Sequence, residues 1–379
     1  MAKAQIENFE SPAALEFNGL FVIEIELSFE ETMILRVFVF GLFCISATPL
    51  VGQAFQIESK ISLPSQSSIG LQQDDISIEK RSNKIDVNLN GKLFTTFEFG
   101  KYSKPIFYPI YGPDQISMTR DWPMKDDTEG ESKDHPHHKS MWISHEISGV
   151  DFWSEKGGTV DSELIETKFE GNPTNVFRAN SKWTKNGDTM PMLTDQTTYW
   201  FGGDESSRWM NCLIKYQATH GDIEFDDTKE GLFAIRTHPD LRLAAKPKAG
   251  VKEVFGKAIN SEGITGKAIW GKQAKWLLYY GEIDGKPMSI AMYDHPTNFR
   301  HPTTWHARDY GLVTANPFGL HHFLGKPKGS GTYKLPSGKS LELRYRVEFF
   351  KGIANPKLIE QKFESFATDP LQELTVKRR

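Results

Sequence analysis

Two short stretches of this sequence concentrate side chains that can move protons near neutral pH. The first holds Thr119-Arg-Asp-Trp-Pro-Met124, Asp134-His-Pro-His-His138, Met141-Trp142, His145 and Val150-Asp-Phe-Trp153. The second holds Asp294-His-Pro-Thr-Asn-Phe-Arg-His-Pro302, Trp305-His306-Ala-Arg308-Asp309-Tyr310-Gly311 and Asn316-Pro-Phe-Gly-Leu-His-His-Phe323. All 11 histidines lie between His135 and His322. Imidazole titrates close to pH 7, so it serves as acid or base without a large perturbation.

Three chemistries could use such residues. Histidines and carboxylates could trade protons with a polar ligand while Trp stacks on its faces and Arg and Asn fix its orientation. That is the equipment of a carbohydrate site. Alternatively, His135 and His137, an i, i+2 pair on one side of an extended chain, could join His145 around a transition metal such as Zn, Cu or Fe. Their spacing matches none of the strong zinc patterns. In the third case the histidines only hydrogen-bond backbone in long loops. A single histidine is most simply of that kind, and His220, in the turn Thr219-His-Gly-Asp222, is assigned to it. Two separate segments that each gather His, Asp, Trp and Arg favour a shared site.

The elements that must position these residues read as strands. Ile85, Val87 and Leu89 alternate with polar residues up to Asn90-Gly91, and an apolar run follows. Asn-Gly between strand patterns marks a hairpin, because both central residues of a type I′ turn need positive φ. Further pairs are Thr194–Phe201 with Trp209–Ala218, and Trp276–Tyr280 with Met288–Tyr293 around Asp284-Gly285. Leu341–Phe349 alternates apolar and charged residues without a break. Only Pro356–Ala367 reads as a helix, with Pro at its start and Leu358, Ile359, Phe363 and Phe366 on one stripe. Many antiparallel strands and few helices predict an all-β fold, a large two-sheet β-sandwich over 75–368 with a tail at 369–379. The two chemistry-bearing stretches are rich in Pro, Gly and aromatics and are expected as long loops on that scaffold. Trp183, Trp200 and Trp276 are expected in the core, and Asp195 and Glu224 in solvated positions.

The chain has 379 residues, 38% of them hydrophobic, enough for a sizeable core without disulfides. Met33-Ile-Leu-Arg36, the apolar run Val37–Ile45 and the small-x-small triplet Gly52-Gln-Ala54 have the layout of a signal peptide. The run is too short for the ~20 residues of a membrane span. Residues 1–32 are therefore read as an extension upstream of Met33, 33–54 as the signal and 55–74 as a leader. A mature N-terminus at Phe55 and a periplasmic or extracellular location follow. Residues 1–54 carry seven glutamates against Lys3 and Arg36, so the formal −4 of the whole chain becomes about +1 without them. A near-neutral protein has no footprint for nucleic acid or, after signal cleavage, for a membrane. The expected partner is a small molecule or glycan. Cys44 leaves with the signal, and Cys212 is read as a small core residue.

Lys104-Pro-Ile-Phe-Tyr-Pro-Ile-Tyr-Gly-Pro113, Thr119–Met124, Lys133-Asp-His-Pro-His-His-Lys-Ser-Met-Trp142, Gly149-Val-Asp-Phe-Trp153 and the 294–323 stretch resemble a bacterial family of secreted proteins commonly labelled "methane oxygenase PmoA". The resemblance covers about 75–365, and its label implies a metal-dependent oxidoreductase. The His-rich loop followed by Trp is also similar to galactose-mutarotase-like proteins. That similarity implies a β-supersandwich with a concave sugar-binding face, a histidine acid and a carboxylate base, with His138 and His238 as counterparts by order. The Gly pair of the mutarotase pattern is absent.

The preferred reading is thus an exported sandwich that acts on or binds carbohydrate without a cofactor. His138, His145, His238 and His306 are the expected acid/base groups, with Asp134 and Asp309 beside them. Arg120, Asp121, Arg308 and His321 would bind or orient the ligand, and Trp142 and Trp305 would offer stacking faces. Epimerase, lyase and hydrolase chemistry all fit. The runner-up is a metal-dependent oxidoreductase on His135, His137 and His145, and the third option a non-catalytic sugar-binding module.

Overall fold

The computed structural model describes residues 75–243, 253–370 and 374–377 in full. Of what precedes them, only the backbone of two paired strands is described, Val22–Phe29 and Met33–Phe40. These strands belong to a separate compact unit, Met1–Ile69. The expected cleavage point after Ala54 and the leader 55–74 lie outside the described residues.

The main unit is a sandwich of two eight-stranded antiparallel sheets, as the alternation of apolar residues predicts. The first, here the site sheet, runs in the order Thr304–Ala307, Leu312–Asn316, Leu232–Arg236, Met141–Ser144, Ile106–Ile110, Lys92–Glu98, Lys84–Leu89, Ile76–Lys80. The second runs Gly158–Glu166, Val176–Lys185, Leu193–Gly203, Ser207–Ala218, Ser340–Lys351, Lys286–Asp294, Trp276–Ile283, Lys257–Asn260. A small four-stranded sheet includes Ile223–Phe225, Glu146–Ile147 and Val150–Asp151. Among the described residues no helix is long and apolar enough to cross a membrane.

The inner faces interlock through aromatic rings. Phe97 of the site sheet lies 5.3 Å from Phe177 and 5.6 Å from Tyr199 of the second sheet, in tilted geometry. The hairpin turns form where positive φ is tolerated: Asn90 and Gly91 have φ of 51° and 71°, Asp284 and Gly285 of 50° and 74°. The helix Pro356–Thr368 starts at an Asn355 side chain that accepts from the Leu358 amide at 2.9 Å. It buries Ile359, Phe363 and Phe366 against Trp276, Tyr293 and Phe350 on the outer face of the second sheet. That cover explains why Ser340–Lys351 alternates at its start but is buried on both faces towards its end.

Three expectations need correction. The stretches read as loops supply strands and a helical turn: Met141–Ser144, Thr304–Ala307, Leu312–Asn316 and Leu320–Leu324. Turn-forming Pro and Gly residues disguise these short elements. Trp183 and Trp276 are core residues, but Trp200 is only half-buried. Asp195, expected in solvent, is buried and accepts from the Trp183 indole at 2.7 Å and the Thr197 hydroxyl at 2.7 Å.

Burial pushes the Asp195 carboxyl up to about 6, against the pull of those hydrogen bonds. A carboxyl that holds its proton more tightly when folded loses stability as pH rises, here from about 4, its unfolded value, to about 6. Asp195→Asn should therefore melt close to wild type at pH 4 and above it at pH 7, by roughly 2–3 kcal/mol. Thermal melts across that range check the sign. A gap that stays constant with pH would show that Asp195 ionises freely.

Candidate functional site

The site is built on the outer face of the site sheet, and strand parity decides which side chains reach it. Trp142 pairs with Ala234, Ala234 with Thr314 and Thr314 with His306, so these four form one row across four strands. Arg236 and Leu312 form the next row on the same face. The alternate residues Met141, Ile235, Val313 and Ala307 point into the core. The Thr304–Asn316 part of the second histidine-rich segment therefore shares this face with the first, whereas His295 and His301 pack against Phe366 and Phe363 of the C-terminal helix on the second sheet.

Residues 119–140 lie over this row. Backbone bonds tie them down, from Arg120 to the Arg236 carbonyl at 3.1 Å and from Arg236 to the Ser140 carbonyl at 2.6 Å. The buried Arg120 guanidinium donates to the carbonyls of Ser132, Asp134, His135 and His138 at 3.0–3.1 Å. It thereby shapes the loop that carries the histidines. Beneath it, the buried Lys104 ammonium donates to the carbonyls of His137 and Trp153 and to Glu155, which also pairs with Lys139 at 2.5 Å.

At the mouth, Asp134 is held from three sides. Its Oδ1 accepts from Arg120 at 2.6 Å and Arg236 at 2.8 Å, and its Oδ2 faces His135 Nδ1 at 3.1 Å. Burial alone would raise this carboxyl. The His135 bond and the charges of Arg236 and Arg120 outweigh that and hold it well below the ordinary range. Burial and the Arg120 charge bring Arg236 down to about 9, so it remains charged at neutral pH.

The histidine rings lie together. His135 stacks on His138 at 4.7 Å and on Tyr310 at 5.1 Å, and His137 meets His138 edge-on at 4.4 Å. His138 is 0% exposed and backs onto Trp142 at 5.4 Å. Its Nδ1 faces Arg236 at 3.4 Å, and its buried Nε2 has no partner among the described residues. Burial, with the nearby cations, lowers His137 to about 4 and His138 well below the ordinary value, so both are neutral at pH 7. His135 differs from both. Its side chain is 41% exposed, and its backbone sits at φ 47°, a region β-carbon-bearing residues seldom adopt.

His145 and His306 serve another part of the face. Each donates to a backbone carbonyl at 2.9 Å, of Asp226 and Lys229 respectively, and so clasps the loop 226–231. Burial brings them down to about 4 and about 3, which leaves neutral rings suited to that role. Gly231 presses on the His145 ring so closely that an added β-carbon would lie 2.0 Å from Nδ1.

The other candidates spread around this region. His238 Nδ1 accepts from the Asp240 amide at 3.2 Å at the start of a 3-10 turn. Asp121 accepts from Tyr108 at 3.0 Å and Lys125 at 2.7 Å. Asp309 pairs with Lys267 at 3.0 Å, and His321 Nδ1 donates to the Lys326 carbonyl at 2.7 Å. Arg308 lies over Tyr310 at 5.4 Å. The expectation that Trp142 and Trp305 offer stacking faces is corrected. Trp305 alternates with His306, so it points into the inter-sheet core and donates to the Ala274 carbonyl, while Trp142 is covered by His138 and Trp153. Arg236, Tyr310 and Lys104 are the residues that sequence reasoning missed. Tyr310 and Lys104 lay inside the motifs quoted above without being singled out, and Arg236 left a signal as the one charge in the run Leu232-Phe-Ala-Ile-Arg236.

Among the described residues no three His, Cys, Asp or Glu side chains converge so as to hold a metal ion. His145 is drawn to the 226–231 loop, away from His135 and His137. A strong chelator should accordingly leave the melting temperature unchanged, since only metal bound by the folded state would raise it. A fall of several degrees that added Zn, Cu or Fe reverses would restore the metal reading. A groove of about 720 Å³ lies on the outer face of the second sheet, lined by Trp200, Trp209, Asn211 and Arg344 among others. It holds no histidine and none of the candidate residues.

Among solved structures, a glycoside hydrolase family 97 enzyme variant from Pseudoalteromonas sp. strain K8 aligns at TM-score 0.29 and 11% identity, over 73% of this chain and 33% of that one. The chain thus spans about a third of that enzyme's length. A 4-alpha-glucanotransferase from Thermococcus litoralis aligns at TM-score 0.28 and 9% identity, over 74% and 40%. A galactose mutarotase related enzyme from Lactobacillus acidophilus aligns at TM-score 0.27 and 8% identity, over 74% and 99%. Similarity this distant does not bear on the reaction. No curated protein matches the sequence. The sequence model of DUF6807, a family of unknown function, matches residues 84–364, and the chain belongs to that family.

Proposed function

We propose that the outer face of the site sheet binds a carbohydrate and that His135, oriented by Asp134, is the general base that draws a proton from it. The pairing of an exposed imidazole with a fixed carboxylate carries this reading. In the tautomer that carries its proton on Nδ1, toward Asp134 Oδ2 at 3.1 Å, Nε2 is left as an acceptor for the ligand. A sugar hydroxyl placed there would pass its proton to Nε2, and Asp134 would stabilise the imidazolium that forms. Arg120 and Arg236 keep Asp134 ionised and stationary, which preorganises the pair. Neutral His137 supplies uncharged surface beside the pair. The signal-like segment before Ala54 supports placing this chemistry outside the cytoplasm.

The test is a screen of the purified protein for mutarotation, elimination and glycan cleavage, with His135→Ala in parallel. Turnover that is lost in the variant supports the base. Turnover that survives the substitution removes His135 from the reaction, and sugar binding without turnover in either protein leaves a binding module.

A further inference from the structure

We propose that the ligand of this site carries a carboxylate and that Arg308 reads it. This narrows the carbohydrate reading, on which it rests, to an acidic sugar of the uronate class. The argument is an accounting of cations around the base. Arg120 and Arg236 are committed to Asp134, and Arg120 also to four backbone carbonyls. Lys125 is paired with Asp121, and Lys229 with Glu230 at 3.2 Å. Arg242 donates to the Pro239 carbonyl at 2.7 Å.

Lys133, two residues before His135, is exposed and also lacks an ion pair among the described residues, but Arg308 differs from all of these in being half-buried beside the ring that stacks on His135. Among the described residues its half-buried guanidinium has no hydrogen bond and no ion pair, only the Tyr310 ring beneath it at 5.4 Å. Its neighbour Asp309 is engaged by Lys267. A guanidinium held beside an aromatic ring presents its donors as a planar fork, which matches a carboxylate in two-pronged geometry. The same Tyr310 ring stacks on His135 at 5.1 Å and faces the Arg236 guanidinium at 4.5 Å. One rigid ring thus ties the uncommitted cation to the proposed base. A sugar anchored through its acid group at Arg308 would present another ring position to His135.

Titration calorimetry on the full chain at low salt tests this with digalacturonate, its carboxyl-reduced neutral counterpart and a sulfated neutral disaccharide. We expect wild type to bind the uronate at least about tenfold more tightly than the neutral sugar, the usual scale of a charge-assisted hydrogen bond. Arg308→Gln should erase that preference with the melting temperature and the neutral-sugar affinity unchanged. Arg308→Lys should recover part of it, and His135→Ala should keep it. Equal binding of neutral and acidic sugars, or tighter binding of the sulfated one, would overturn the carboxylate while leaving the carbohydrate reading in place. If none of the three binds, both fall.

Discussion

Replacing His135 by alanine is expected to lower turnover on the right sugar by about 10²–10⁴-fold, the usual contribution of a positioned proton-transfer group. The fold should survive, because the side chain is 41% exposed and its ring contacts lie at the edge of the cluster. His135→Asn is the better control for the backbone, since Asn adopts the positive φ of this position more readily than alanine does. His138→Ala should behave differently. That ring is buried between Trp142 and His135, so its loss leaves a cavity and costs stability before it costs chemistry. Melting curves beside kcat for the three variants separate the two roles. If His138→Ala lost turnover while melting like wild type, the base would have to be reassigned to it.

The contrast between His135 and His138 marks where the sequence stops being legible. The sandwich is readable because alternation and Asn90-Gly91 or Asp284-Gly285 turns are local signals. The meeting of the first His-rich stretch with the His306 part of the second follows from Trp142 and His306 falling in one cross-strand row, and composition alone suggested it. Composition did not show that His295 and His301 pack under the C-terminal helix instead. Which member of Asp134-His-Pro-His-His138 faces water is not local. It depends on the Arg120 guanidinium gathering four carbonyls of that loop and on His135 taking a left-handed backbone. Arg236 sits 102 residues from Asp134 in sequence, and only sheet pairing brings them to 2.8 Å. Trp305 and His306 show the finer limit, since one step of register decides which of the two reaches the site face. Two adjacent candidates on one strand could never both have served it.

The largest effect on stability is expected at Asp134. Arg120 and Arg236 are both 2% exposed at the side chain and share a single oxygen of this carboxylate. Asp134→Ala would leave two buried guanidiniums facing one another without a counter-ion, which typically costs about 3–5 kcal/mol. The lower end applies, because Asp134 is itself 33% exposed and water can partly replace it. In a domain of this size that is a fall of about 5 °C in melting temperature. Asp134→Asn should lose less, since its amide oxygen still accepts hydrogen bonds, yet it should lose turnover as fully. Because the carboxyl is held below its ordinary value, its contribution is present above about pH 4 and drains as the pH falls further. The gap between wild type and Asp134→Ala should therefore close in acid. The second arm is the double variant Asp134→Ala/Arg236→Met. If the loss comes from uncompensated charge, removing one guanidinium restores part of the stability, and the double-mutant cycle is strongly non-additive. Additive losses would mean that Asp134 holds the loop by packing alone, and that the two arginines find other partners when it is gone.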